Sequence, residues 1–198
     1  MGAWLAVGSW RTYKAGEVLL REGERADSVH LLIDGCVKVV SEPPKGRAAL
    51  LAVRGGGSLI GELAALNGDV RSATVVACSR SPVWTREISV ERFNAVLAED
   101  GAAMSVVATA VTGKFRSATR RRVDMAQPLA RRLARVLVEL VEEHGTALKP
   151  GVYVIAVHLT QVELGSLIGM AESTVFRLFQ KWRRHGVLEP SAPHEVQR

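Results

Sequence analysis

Residues 160 to 186 read TQVELGSLIGMAESTVFRLFQKWRRHG, and this run restricts the fold more narrowly than any other part of the chain. Thr160 followed by Glu163 has the spacing of a capping box, in which each side chain satisfies a free backbone N–H at a helix start. Leu164, Ile168, Met170, Val175 and Leu178 are apolar, and Gly165 is small where a second helix would have to cross closely. Gly169 tolerates the positive φ that a turn between two helices needs. Val175, Leu178, Phe179 and Trp182 then recur at helical spacing, which turns Ser173, Phe176, Arg177, Gln180, Lys181 and Arg184 outward. Gly186 ends the second helix. Two short helices joined at a glycine, the second with polar and basic residues outward, form the helix-turn-helix arrangement that sets its second helix in the DNA major groove. An ordinary helical hairpin is the plainer alternative.

Charge placement agrees with a polyanionic partner for this end. Residues 1–100 carry 12 Lys or Arg against 12 Asp or Glu, whereas residues 101–198 carry 14 against 8, so the whole net charge of +6 lies in the second half. With 198 residues, 47% of them hydrophobic, the chain is long enough for one large or two small domains with proper cores. No apolar run approaches the ~20 residues of a membrane span, and MGAWLAVGSW lacks the basic start and apolar stretch of a secretory signal, so a cytoplasmic protein is expected. Cys36 and Cys78 sit in apolar, strand-like runs; plain buried thiols are expected, with a redox switch as the alternative.

Residues 12–88 alternate short β-prone runs with turns: 29–33, 36–40, 48–53, 73–78 and 83–88. Asp34-Gly35 has the signature of a two-residue hairpin, and 43–46 and 55–57 supply further turns. The expected result is a compact antiparallel β roll or barrel. One segment, GELAALNGDVRSATV from Gly61, breaks the alternation. Gly61 leads into one or two helical turns, Glu62 can accept from a sugar hydroxyl, and Arg71 can hold a phosphate bidentately.

This segment, with the helix-turn-helix, resembles the cyclic-nucleotide-binding, Crp/Fnr-type transcription regulators. The resemblance implies an α+β architecture: an antiparallel β-roll over 1–100, a dimerisation helix over 101–125 and a winged helix-turn-helix over 126–198. It implies that Glu62 contacts the ribose hydroxyl, that Arg71 and Ser72 contact the cyclic phosphate, and that Gly61 and Leu63 offer backbone groups. It places the base-contacting Thr or Ser of the family at Ser117 and the residue that reaches the other subunit's ligand at Ala118, which has no hydrogen-bonding group. The DNA contacts fall on Glu172, Ser173, Thr174, Phe176, Arg177 and Lys181, with Glu172 where relatives often carry Arg. Arg177 suits guanine, and Lys181, Arg183 and Arg184 suit phosphates. Phe176 could press on a thymine methyl or pack into the domain. The implied ligand is cyclic AMP, with cyclic GMP or no ligand as alternatives. The implied partners are double-stranded DNA, a second copy of the chain and RNA polymerase, with no membrane.

Ser89–Ala98 reads as a short helix capped by Ser89, and Ala102 to about Met125 as a long one, with Met104, Val107, Val111 and Ala118 forming a stripe for pairing with a second copy. Gln127-Pro128 breaks the chain, placing a hinge at 124–127. Leu129, Leu133, Val136, Leu137, Leu140 and Val141 make an amphipathic helix ending near Gly145, and 152–157 reads as a strand. A wing is expected after Gly186, shortened by two prolines. The five His are scattered, and neither a nucleophile constellation nor a phosphate loop of enzyme type is present, so no enzymatic activity is expected. Two regulators of the same architecture are the alternatives: one that binds no nucleotide, with Glu62 and Arg71 as a buried ion pair, and a haem-based gas sensor with a single His as ligand.

Overall fold

The structure is a computed structural model that describes residues 6–42 and 48–189. Eight strands form two antiparallel sheets: β1 (Ser9–Tyr13), β2 (Val18–Leu20), β3 (Ser28–Asp34), β4 (Cys36–Ser41), β5 (Ala49–Gly55), β6 (Leu59–Ile60), β7 (Thr74–Ala77) and β8 (Val83–Ser89). Their spatial orders are β1-β8-β3-β6 and β2-β7-β4-β5. Period-two side-chain alternation gives each sheet two faces. The facing surfaces meet through Leu20, Leu32, Val37, Ile60, Val75 and Val83. The outer face of the first sheet carries Val29, Leu31 and Ile88, covered by α1 (Glu62–Asn67), α2 (Val90–Glu99) and α3 (Gly101–Asp124). The outer face of the second carries Cys36, Val40, Leu50 and Val53, and it is covered by the C-terminal helices. The molecule is thus four layers deep, with the β-roll in the middle.

Beyond α3 the chain turns at Met125–Gln127 and continues as α4 (Leu129–His144), the hairpin β9 (Gly145–Lys149) and β10 (Val152–Ile155), α5 (Gln161–Leu167) and α6 (Glu172–Arg184). Ser89 Oγ caps α2 by accepting from Arg92 N, and the turn before Pro128 falls where the hinge was expected. Leu133, Val136 and Leu140 of α4 are buried with Leu164, Leu167, Ile168 and Val175 in one cluster that also contains the outer residues of β4 and β5.

Three sequence expectations are corrected. Asp34-Gly35 does not close a hairpin: β3 pairs with β8 and β6, and β4 with β5 and β7, so this turn carries the chain from one sheet to the other. β3 already has a partner on each edge, and Gly35, at φ 83, lies where a Cβ would meet Val83 and Ser79, so the chain must swing away. Strands β1, β2, β6 and β9 escaped the pattern because they are short or, like β1 and β9, largely exposed. The stripe on α3 read as a self-pairing face is partly used within the subunit: Val107 is buried and Val111 packs on the same cluster, whereas Met104 is 45% exposed and Ala118, also exposed, lines a cavity. The region expected to form the wing extends beyond Glu189, outside the described residues.

Cys36 and Cys78 are neighbours across β4 and the end of β7, with their sulfurs 3.5 Å apart and both buried. His30 is enclosed between the sheets, 3.3 Å from Thr85 Oγ1 and edge-on to Tyr13. Burial pushes its imidazole down to about 4, against the opposing influence of Glu87. Between pH 6.5 and about 4 the unfolded chain therefore holds a proton on His30 that the native chain lacks, and stability falls as pH falls through that window. The loss attributable to His30 should approach ~3 kcal/mol at the lower end. Urea unfolding across this range should show a clearly shallower pH slope for His30→Gln than for the parent; identical slopes would count against it.

Candidate functional site

Gly61 starts α1 in the left-handed region at φ 85, and a Cβ there would sit 2.7 Å from Arg71 Nη1, so both the turn and the approach of the guanidinium require glycine. Arg71 is 4% exposed. Its Nη1 donates to Gly61 O at 3.1 Å, and its Nη2 donates to Ser28 O at 2.7 Å and Asp27 Oδ1 at 3.0 Å. Glu62, next in sequence to that glycine, is 1% exposed and is not paired with Arg71. Lys114, reaching across from α3, donates from Nζ to Glu62 Oε1 at 2.7 Å and to Leu59 O at 2.6 Å. Burial lowers the Lys114 ammonium and the Glu62 carboxylate raises it, leaving it below the ordinary lysine value.

Glu62 and Arg71 lie on the wall of a cavity of about 430 Å³ between the β-roll and α3. Gly61, Leu63 and Ser72 also line it, with Leu63 and Ser72 exposed. α3 closes it with Val111, Lys114, Phe115, Ala118 and Arg121. Five of the six residues expected at a ligand therefore share one cavity. Ser117 does not: it lines the neighbouring cavity, and Ala118 takes its place here. The two positions border different spaces: Ala118 is exposed at this cavity, and Ser117 is half-buried at the neighbouring one. Lys114 is the site residue that the sequence did not disclose; its only signal was its place in a basic run, one helical turn before Ala118.

The second candidate surface is α6. The capping box at the start of α5 is formed: Thr160 Oγ1 accepts from Glu163 N at 3.1 Å, and Glu163 Oε2 accepts from Thr160 N at 2.8 Å. α5 packs tightly on the turn and on α6 at Gly165, where a Cβ would lie 2.4 Å from Met170 O of the turn and 3.5 Å from Val175 Cγ2 of α6. Val175 anchors α6 in the core, whereas Glu172, Ser173, Phe176, Arg177 and Lys181 are exposed and Thr174 is half-buried beneath Arg177, whose Nη2 donates to Thr174 Oγ1 at 3.2 Å. Phe176 is 49% exposed, which decides for solvent over the domain interior. α6 has no side-chain cap at Ala171. Among the described residues no three His, Cys, Asp or Glu converge as metal ligands, and no single helix is long and apolar enough to cross a membrane.

A family model for a cyclic nucleotide-binding domain matches residues 10–100, and one for a Crp-like helix-turn-helix domain matches residues 131–196. The chain belongs to the Crp/Fnr-type transcription regulators. The cAMP-activated global transcriptional regulator Vfr of Pseudomonas aeruginosa is 24% identical over 181 residues, which cover 90% of this chain and 84% of that protein. A CRP-like cAMP-activated global transcriptional regulator of Mycobacterium tuberculosis is 23% identical over 177 residues, 88% of this chain and 77% of that protein. Among solved structures, FixK2 from Bradyrhizobium japonicum superposes with a TM-score of 0.77 at 19% identity, covering 94% of this chain and 89% of that one. The c-di-GMP-responsive global regulator CLP of Xanthomonas campestris superposes with a TM-score of 0.75 at 21% identity, covering 96% and 94%. The fold of these regulators is therefore this chain's fold, and the β-roll wall of the cavity under α3 lies within the matched cyclic nucleotide-binding domain.

Removing Lys114 should leave Glu62 as a buried carboxylate without a cation. Lys114→Met should cost about 2–3 kcal/mol in chemical denaturation, less than a fully buried pair because the lysine keeps some solvent contact. The double variant Lys114→Met with Glu62→Gln should recover most of that loss. Equal destabilisation of single and double variants would show that the pair is not what holds α3 there.

Proposed function

We propose that this regulator is controlled by a cyclic nucleotide, cyclic AMP first, bound in the cavity between the β-roll and α3. What carries the proposal is that one cavity of about 430 Å³ has Glu62, Arg71 and Ser72 on its β-roll wall and α3 on the other. That volume falls within the ~300–1,000 Å³ of small-molecule sites. The cAMP-activated relatives support the choice of nucleotide. The cyclic phosphate lies against Arg71 and the Ser72 hydroxyl, and a ribose hydroxyl donates to Glu62. Because Lys114 already uses that carboxylate, the ribose competes with Lys114, and ligand binding biases α3 through this one contact. The output is DNA binding by α6, with Arg177 as base reader and Lys181, Arg183 and Arg184 on phosphates. The three-part division into 1–100, 101–125 and 126–198 assigns the sensing, pairing and reading roles.

A homodimer paired along α3 completes the proposal. The side of α3 facing away from the roll presents Ala102, Ser105, Ala108, Thr109, Thr112 and Thr119, small side chains that permit a close second helix. RNA polymerase is the partner through which transcription would respond. One observation favours the alternative of a regulator without a nucleotide: Arg71 and Glu62 each have protein partners already.

Calorimetry on the purified protein should show heat with cyclic AMP. Because Arg71 holds backbone groups together as well, Arg71→Ala would confuse folding with binding; the exposed Ser72→Asp tests the pocket instead, and its added negative charge should abolish the heat with no change in Tm. Silence with cyclic AMP and cyclic GMP from protein that still binds DNA would leave the alternative standing. On DNA, Arg177→Ala should lose ~1–3 kcal/mol at one base position, whereas Lys181→Ala should weaken all sequences alike. Equal loss on specific and random duplexes for Arg177→Ala would remove its base-reading role.

A further inference from the structure

A second cavity, of about 570 Å³, lies between the far end of α3, the turn joining β5 to β6 and the last turn of α4. Its lining and that of the cyclic-nucleotide cavity have only Arg54 and Lys114 in common. Gly55, Gly56 and Gly57 give it a wall without side chains, and that absence has a use: a Cβ on Gly55 would lie 2.8 Å from Cε1 and 2.9 Å from Nδ1 of His144. The His144 side chain is 7% exposed, and its Nε2 has no hydrogen-bond partner, since Glu143 Oε2 stands 3.6 Å away.

Arg54 is the second unmet group. It is half-buried, its one hydrogen bond runs from Nη1 to the carbonyl of its own neighbour Val53 at 3.3 Å, and it forms no ion pair among the described residues. Burial and, after it, Arg121 hold its guanidinium below the ordinary arginine value. The remaining N–H groups of this half-buried guanidinium are not sealed from solvent and are open to an anion in the cavity. Arg116 and Arg120, both exposed, stand at the mouth with the half-buried Ser117 between them. Lys114 is neutralised by Glu62, so the free charge on this cavity is three guanidinium groups against the carboxylate of Glu143.

We propose that this second cavity is a binding site for a phosphate monoester or diphosphate, separate from the cyclic-nucleotide cavity. A cyclic phosphodiester carries one negative charge, whereas a phosphate monoester carries about −1.5 to −2 near neutral pH and a diphosphate more, which matches the excess of cations here. Guanidinium groups grip such oxygens bidentately. The volume leaves room for a nucleoside beside the phosphates. His144 Nε2, as N–H or in the protonated ring, supplies a further donor. Occupancy ties together α3, the β5–β6 turn and α4, elements on both sides of the Met125–Gln127 turn.

Titration calorimetry of the full chain with sodium pyrophosphate and, separately, with ADP tests the site. One binding event per chain is expected. Arg116→Ala with Arg120→Ala should weaken it by about tenfold, and Ser117→Glu, which places a carboxylate in the cavity, should do at least as much, with unchanged far-ultraviolet circular dichroism. Ser72→Asp should leave it intact, and excess cyclic AMP should not displace it. Tighter binding of ADP than of pyrophosphate identifies a nucleotide as the ligand; equal affinity identifies the inorganic anion, and either supports the site. No heat at millimolar pyrophosphate and ADP overturns it. So does binding that survives both cavity variants, or that cyclic AMP abolishes, because the anion would then occupy the other cavity. The phosphate probes are titrated directly, so a failure of cyclic AMP to bind would sink the proposed control by cyclic nucleotide and leave this site standing.

Discussion

The contact between Lys114 and Glu62 is the hinge pin of this molecule. The carboxylate in the first turn of α1 is 1% exposed, and the cation that meets it comes from a different layer of the structure. The orientation of α3 accords with that contact. With Lys114 held inward, Val107 and Val111 turn with it toward the β-roll, and Phe115, Ala118 and Arg121 border the cavity. The same rotation sends Ser117 and Arg116 to the other side, where they border a different space. Any ligand that competes for Glu62 acts on a polar tie between the roll and this helix.

The C-terminal helices are not a separate bead on a linker. Cys36, Val40, Leu50 and Val53 of the roll share one apolar cluster with α4, α5 and α6. Polar ties reinforce the seam: Leu50 N donates to Ser166 Oγ at 2.8 Å, Lys38 pairs with Glu163, and His158 N donates to Cys78 O at 2.8 Å. Area removed from water stabilises such a seam at roughly 25 cal/mol per Å², so its apolar residues outweigh its few polar ties. The outward face of α6 remains in solvent in this docked arrangement.

The parts that could be read from the chain alone were those in which local spacing coincides with tertiary role. The Thr160–Glu163 capping box, the glycine crossing at Gly165 and the buried face of α4 all follow from neighbours within one or two turns. The Glu62, Arg71 and Ser72 grouping was legible as a motif and shares a cavity in the fold. What escaped depends on distant partners. Asp34-Gly35 carries a hairpin signature, yet the strands on either side have better partners elsewhere. The rotation of α3 could not be deduced from its own sequence, because apolar residues at helical steps fit a partner helix and a parent roll equally well. The pairing of Lys114 with Glu62 spans 52 positions, and periodicity carries no information over that distance.

Glu163 holds two posts at once. One of its oxygens accepts from Thr160 N to begin α5, and the other receives Lys38 from β4. Burial alone would raise its carboxyl, but Lys38 and the Thr160 backbone together draw it below the usual range. With Lys38 present the side chain is confined to the rotamer that caps the helix; without it, that confinement is lost and the cap must be reached from a wider set of states. Separation of the reading head from the roll and fraying of the first turn of α5 are therefore thermodynamically linked, so the docked surface also helps to keep the head's own first helix wound.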